Sequence, residues 1–276
     1  MAAILFPCGP AGSVNLAPTS SWTPADLGSA LRLWVKADTG ITSSGGLITQ
    51  ANDQSGNGFH LVSSGSVRPT LNATGYNSLP SIDFTASSGT VMGTQALGGA
   101  VPVALNLGTS CSFFFIGRYS TASDNFGRIM SYLGPATIVA VGTGVDYNTA
   151  DSLACLHRNG ALSELQGTQN SANLAIGAVS PSTNIRVLMV YSGAANTATL
   201  YVNNVQITQT TGVAAFDLGT TGVLAVGTTI QASSGTIGTL AASFTGTIAE
   251  ALVTNTALNS TERGNLDTYV VARLGA

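Results

Sequence analysis

From Leu31 onward the chain alternates short apolar runs with clusters of Gly, Ser, Thr and Asn. The runs include "LRLWVKA", "SIDF", "CSFFFIGRYS", "GRIMSYL", "TIVAVG", "NIRVLMVYSG", "TATLYVNNVQITQTT", "VLAVGTTI" and "TGTIAEALVTN". Short strands with frequent turn signals predict an all-β sandwich or barrel. Phe113, Phe114 and Phe115 are consecutive, as expected of a strand buried on both faces. "TLYVNNVQIT" reads as a hairpin in which Asn203 and Asn204 fill the two turn positions that need positive φ. With that loop, Leu200, Val202, Val205 and Ile207 are expected on the core face, and Thr199, Tyr201, Gln206 and Thr208 on the other. One helix is predicted near residues 260–274. Asn259 and Glu262 have capping-box spacing, Leu266, Tyr269, Val270 and Leu274 form one stripe, and Gly275 stops it.

The first 28 residues have a different texture. Pro7, Pro10, Pro18 and Pro24 remove backbone donors and fix φ, so this segment reads as an extended arm and not as a central strand. The arm is expected to attach the chain to a partner through Ile4, Leu5, Phe6, Val14, Leu16 and Trp22. The division is an arm at 1–28 and a single β domain at 29–276.

"DQSGNGFHL" packs Asp53, Ser55, Gly56, Asn57 and Gly58 into six residues before Phe59 and His60. Asp and Asn bond neighbouring backbone and Gly takes positive φ, so this is a built turn leading into a strand. Its carboxylate is expected to accept backbone N–H bonds within the turn, and the His60 ring to bond a backbone group beside Phe59. The alternative is a calcium site using Asp38 and Asp53, with Asn52 and Asn57 nearby in sequence.

Composition narrows the function classes. Only 8% of residues are charged, against the usual ~25%, while 44% are hydrophobic. Such a chain folds, and its neutral surface suits a protein packed against neighbours. The net charge of −3 and scattered arginines give no footprint for nucleic acid or a membrane surface. Cys8, Cys111 and Cys155 have neither disulfide-framework nor zinc spacing and read as buried thiols made in a reducing cytoplasm. The apolar run in "MAAILFPCGPAG" is shorter than the ~7–15 residues of a leader, and no segment reaches the ~20 of a membrane span.

"LRLWVKADTGI", "GGLITQANDQSGNGFHL", "RPTL" and "LPSIDF" follow one another over residues 31–84. This order resembles the concanavalin A-like lectin/glucanase superfamily in its laminin G-like jelly-roll branch. "GTIAEALVTNTALNSTERGNLDTYVVARLG" is similar to that family's closing strand and helix, through Gly246, Ile248, Glu250, Leu258, Glu262, Arg263, Leu266 and Tyr269. "LYVNNV" matches its hairpin with Asn204 in place of Gly. Where the family often has Trp before the turn, this chain has Ala51, so that aromatic surface is absent. The resemblance implies two curved antiparallel sheets. Domains with these motifs also occur in virion proteins of tailed bacteriophages.

Candidate chemistry is sparse. Glycoside hydrolysis needs two carboxylates about 5–10 Å apart. The family's laminarinase-like members carry Glu-x-Asp-x-Glu on one strand. This chain lacks that motif, and its only glutamates are Glu164, Glu250 and Glu262. There are two histidines, His60 and His157, and no Gly-x-Ser-x-Gly elbow. No catalytic residue and no cofactor are predicted. A sugar site would draw on Trp22, Trp34, Tyr76, Tyr119, Tyr147 or Tyr201, with Trp34 expected in the core. The sequence therefore predicts a non-enzymatic virion structural protein, in head decoration or tail, made in the host bacterial cytoplasm. It would be oligomeric and bound to other virion proteins through its arm. The alternative is a lectin-like module recognising a host surface glycan.

Overall fold

The computed structural model describes residues 22–63, 68–85, 90–94, 103–119, 127–133, 152–158, 162–167, 172–178, 183–212, 217–227, 230–231, 236–237 and 244–275. The expected run "TIVAVG", Tyr147 and the arm residues Ile4, Leu5, Phe6, Val14 and Leu16 lie outside them.

A 3₁₀ turn at Pro24–Ala30 leads into the strands. These are β1 (Leu31–Lys36), β2 (Ile41–Ser44), β3 (Leu47–Ala51), β4 (Leu61–Val62), β5 (Thr70–Tyr76), β6 (Leu79–Phe84) and β7 (Met92–Gly93). Then come β8 (Ser110–Tyr119), β9 (Gly127–Leu133), β10 (Ser152–Arg158), β11 (Leu162–Gly167), β12 (Ala172–Ala178), β13 (Ile185–Ser192), β14 (Thr197–Val202) and β15 (Val205–Thr211). The last are β16 (Val223–Val226), β17 (Ile230–Gln231), β18 (Thr236–Ile237) and β19 (Gly246–Thr254), followed by helix α1 (Ser260–Leu274).

All the pairings are antiparallel. The first layer runs β15-β14-β13-β8-β19, and the far edge of β19 is shared by β6 and β1. From β6 the ladder turns the corner through β5 and β3 into a second layer, which continues β4-β7-β16-β9-β10-β11-β12. The result is the expected all-β sandwich, of a kind consistent with the concanavalin A-like fold.

Alternation along the first layer builds two cores. Phe113 and Phe115, Val187 and Met189, and Leu33 and Val35 point inward against Ile48, Leu61, Ile129 and Leu224 of the second layer. Phe114 and Ile116, Leu188 and Val190, and Trp34 point outward, where α1 covers them with Leu266, Tyr269, Val270 and Leu274. The three consecutive phenylalanines thus serve both cores. Each large apolar side chain so buried stabilises by roughly 1.5–3 kcal/mol. The predicted helix is present with its cap. Asn259 Oδ1 accepts from the N–H groups of Thr261 and Glu262, Glu262 reaches back to the Asn259 N–H, and Gly275 is left-handed at φ 62°.

Two expectations change. In the hairpin, Asn203 and Asn204 take positive φ and Val202 faces Val205. A bulge after Leu200 then pairs it with Thr208 instead of Ile207. Leu200 is buried, but Val205 is 62% exposed and Ile207 41%. Among the described residues the inner core stops at β14, and β15, paired with β14, holds its apolar residues at the margin. The quartet is therefore split between core and surface. The second change is at the arm. Trp22 meets Tyr269 of α1 edge-on, with ring centroids 6.4 Å apart. Pro24–Ala30 is a capped 3₁₀ turn packed on the outer core, since the Thr23 N–H bonds the Asp26 carboxylate.

Candidate functional site

Three polar constellations stand out, and each is built differently. The first is the Asp53 turn. Asp53 Oδ1 accepts from the N–H of Trp34 and of Ser55, both at 2.9 Å. Oδ2 accepts from Ser55 Oγ at 2.7 Å and the Phe59 N–H at 3.1 Å. The Asp53 N–H in turn donates to His60 Nδ1 at 3.1 Å, which fixes that nitrogen as an acceptor. Asn57 Nδ2 reaches the carbonyls of Leu31 and Arg32. Gly56 and Gly58 sit at φ 89° and 78°, which the tight chain path requires. The turn bonds its own N–H groups, as the sequence predicted, and it is also tied to β1 through Trp34, Leu31 and Arg32, which the sequence did not predict. Asp38 faces elsewhere, toward Lys36 and Arg273. Among the described residues no group of three or more His, Cys, Asp or Glu side chains gathers.

The second constellation surrounds Glu250, only 1% exposed in the outer core. A bulge in β19 between Ile248 and Glu250 places Ala249 and Glu250 on the same outer face. Glu250 Oε1 accepts from Trp34 Nε1 at 2.6 Å and from the Tyr269 hydroxyl at 3.0 Å, while Oε2 pairs with Arg273. Arg273 also holds Asp38, and Lys36 lies over the Trp34 ring. Burial pushes the Glu250 carboxyl up, against the pull of Arg273, Trp34 and Tyr269. Burial also acts to raise Asp38, but the Thr39 hydroxyl, Arg273 and Lys36 outweigh it and hold the group low. Glu250 clamps α1 to β1 and β19. It is walled off from any substrate, and Glu262 is taken by the helix cap. The side chain of Glu164 lies outside the described residues.

The third is open and was not selected by sequence reasoning. A shallow recess, open to solvent and enclosing little more than the space of one water, lies between β13, the β14–β15 hairpin and α1. Phe114, Leu188, Tyr201 and Leu266 form its apolar wall, and Arg186, Asn204, Arg263 and Asp267 supply its polar groups. The Arg263 guanidinium lies 4.4 Å from the Tyr201 ring centroid and donates to the Leu258 carbonyl. Arg186 Nη2 pairs with Asp267 Oδ1 at 3.0 Å. Arg186 Nε, the Tyr76 hydroxyl and Asn184 Oδ1 are buried without a hydrogen bond, and Asp267 Oδ1 has only its ion pair with Arg186. Burial pushes Tyr76 up to about 12, opposed by the Arg186 charge. Of the aromatics named from sequence, Tyr201 lines this recess. Trp34, Tyr76 and Trp22 pack in or against the outer core. Ala51 is fully buried in the inner core, so its position is one of packing and not of ligand stacking.

No family model matches the chain, and no curated protein does. Solved structures do. Trypanosoma rangeli sialidase in complex with sialic acid aligns with a TM-score of 0.54 at 11% identity, over 89% of this chain and 33% of that one. The binding domain of Paraclostridial Mosquitocidal Protein 1 aligns at 0.52 and 11% identity, over 86% of this chain and 52% of that one. Ruminococcus gnavus IT-sialidase CBM40 bound to α2,3-sialyllactose aligns at 0.43 and 14% identity, over 56% of this chain and 81% of that one. This chain therefore spans about a third of the trypanosome sialidase and about half of the toxin chain. At such identities the likeness is one of fold.

Proposed function

We propose that this chain is a non-catalytic binding module and that its ligand is a glycan. The observation that carries the reading is the recess beside α1, where the Arg263 guanidinium over Tyr201, Asn204 and the Arg186–Asp267 pair stand next to an apolar wall. Sugars are held by that mixture of apolar contact and convergent polar groups. The reading is also supported by the sandwich, of a kind found in a sialidase solved with sialic acid and in a toxin's binding domain. Fold alone assigns no function, so the site carries the weight. Catalysis is disfavoured because Glu250 is sealed in the outer core and Glu262 is spent on the helix cap.

The test is a glycan array probed with the full chain, with light scattering to give its oligomeric state. A monomer that binds a defined set of glycans supports the reading. An oligomer that binds none would overturn it.

A second reading keeps the chain as a virion component of a tailed bacteriophage, joined to capsid or tail proteins. It is favoured by the 8% charged composition and the Pro/Gly-rich arm. Because Trp22 and the 3₁₀ turn belong to the folded unit, the informative truncation removes residues 1–21. On this reading the truncated protein keeps its unfolding temperature and fails to join particles. Unimpaired assembly would remove the arm from the account.

A further inference from the structure

The Arg186 recess differs from the rest of the molecule in its hydrogen-bond accounting. Six buried side-chain polar atoms among the described residues lack a hydrogen bond. Four of them belong to Tyr76, Asn184, Arg186 and Asp267, the last with only its ion pair to Arg186. These four are linked around one side of α1. Arg186 pairs with Asp267 and its charge acts on Tyr76, and Asn184 bonds Asn77, which in turn donates to the Leu274 carbonyl. Buried polar atoms without partners are rare and cost about 1–3 kcal/mol each, so a cluster of them marks a place where something else supplies the partners.

The atoms say what kind of group that is. Arg186 Nε is a donor without a hydrogen bond, Asp267 Oδ1 has only its ion pair with Arg186 Nη2 at 3.0 Å and keeps a lone pair, and both residues line the recess. A hydroxyl satisfies the two at once, because it donates and accepts. The enclosed part has room for one water-sized group.

Charge completes the picture. Arg186 and Asp267 neutralise each other, so Arg263 leaves the recess with a net positive charge. Arg263 lies over the Tyr201 ring, and its contacts among the described residues use only part of its five N–H donors. A guanidinium so placed suits a planar carboxylate, which it binds by paired, charge-assisted hydrogen bonds. Asn204 stands on the hairpin turn at the rim, with its amide available for a second hydroxyl.

We propose that the recess is the binding site for an acidic sugar. Its carboxylate pairs with Arg263, and a ring hydroxyl sits between Arg186 Nε and Asp267 Oδ1. The proposal rests on the glycan reading above and specifies the sugar class and the site.

Calorimetry on the full chain with 3′-sialyllactose, glucuronic acid and lactose tests it, alongside Arg263→Gln, Asn204→Gly and the double variant Arg186→Gln/Asp267→Asn. The double change removes both charges together, so no lone charge is left buried. Asn204→Gly keeps the turn, which already runs at positive φ. The expected result is binding of one of the two acidic sugars, tighter than lactose. Arg263→Gln should weaken it about tenfold or more, the double variant likewise and Asn204→Gly less, with unchanged circular dichroism. Acidic-sugar binding that survives all three variants would overturn the site and leave the glycan reading standing. Lactose bound as tightly as 3′-sialyllactose would overturn the acidic class. No glycan bound here or on the array would overturn both readings.

Discussion

The Asp53 turn and the Arg186 recess are both polar clusters at the edge of the first layer, and they account for their hydrogen bonds in opposite ways. At Asp53 both carboxylate oxygens are used twice, by donors from within the turn and from β1. Around Arg186 three buried polar atoms lack a hydrogen bond and Asp267 Oδ1 has only its ion pair. The more conspicuous sequence motif is thus the closed one, and the proposed ligand site is assembled from residues spread between Tyr76 and Asp267. A dense motif can be dense because it satisfies itself. A binding site is found by asking which polar groups remain unsatisfied.

The largest effect expected from breaking the comparison is at its closed end. Asp53→Ala leaves the N–H groups of Trp34, Ser55 and Phe59 without their acceptor and should cost about 3–5 kcal/mol in urea unfolding. A loss below about 1 kcal/mol would mean that the turn does not hold β1. Next comes the split hairpin. Leu200→Ala should cost about 2–5 kcal/mol, since Leu200 is fully buried, whereas Val205→Thr should stay within about 0.5 kcal/mol. Equal losses would restore the apolar quartet to one core.

How much was legible in advance follows the range of the interactions. The helix cap, the Asn203–Asn204 turn and the bonds inside the Asp53 turn depend on neighbours in sequence and were legible there, and the phenylalanine run showed its two-sided burial as an unbroken apolar pattern. The bulge after Leu200 was not, because nothing local marks where a ladder slips, and one extra residue moved Ile207 away from Leu200. Glu250 was placed on the closing strand but not in its buried clamp. A lone acidic residue in the otherwise apolar "IAEALV" was the available signal. The recess was invisible, because Arg186, Arg263 and Asp267 meet only once α1 has docked on the first layer.

A third effect, smaller and read as a slope, concerns the Glu250 clamp, where every partner is present but burial is complete. Burial raises its carboxyl above the ordinary 4.5, so the folded state holds the proton longer than the unfolded chain. The stability linked to this group is full below that value and falls as pH rises through the folded one. Asp38, held below its ordinary 3.8, acts in reverse, and its contribution is lost as pH falls through its lowered value. Thermal unfolding of Glu250→Gln should therefore lack the decline on raising pH that wild type shows above about 4.5. Parallel pH profiles for the two would contradict the raised carboxyl. The smallest effect is at Asp53 again. With both oxygens occupied by N–H and O–H donors, added calcium should shift the unfolding temperature by less than about 1 °C. A clear rise would reopen the turn as a metal site.

The contrast between a closed turn and an open recess is tested most directly by a ¹⁵N–¹H titration with 3′-sialyllactose, following arginine Nε–Hε signals and backbone amides in the same spectra. The account predicts that the Nε–Hε signals of Arg186 and Arg263 shift with saturation, while the amides of Ser55 and Phe59 stay in place. Shifts centred on the Asp53 turn, with both arginines unmoved, would contradict it.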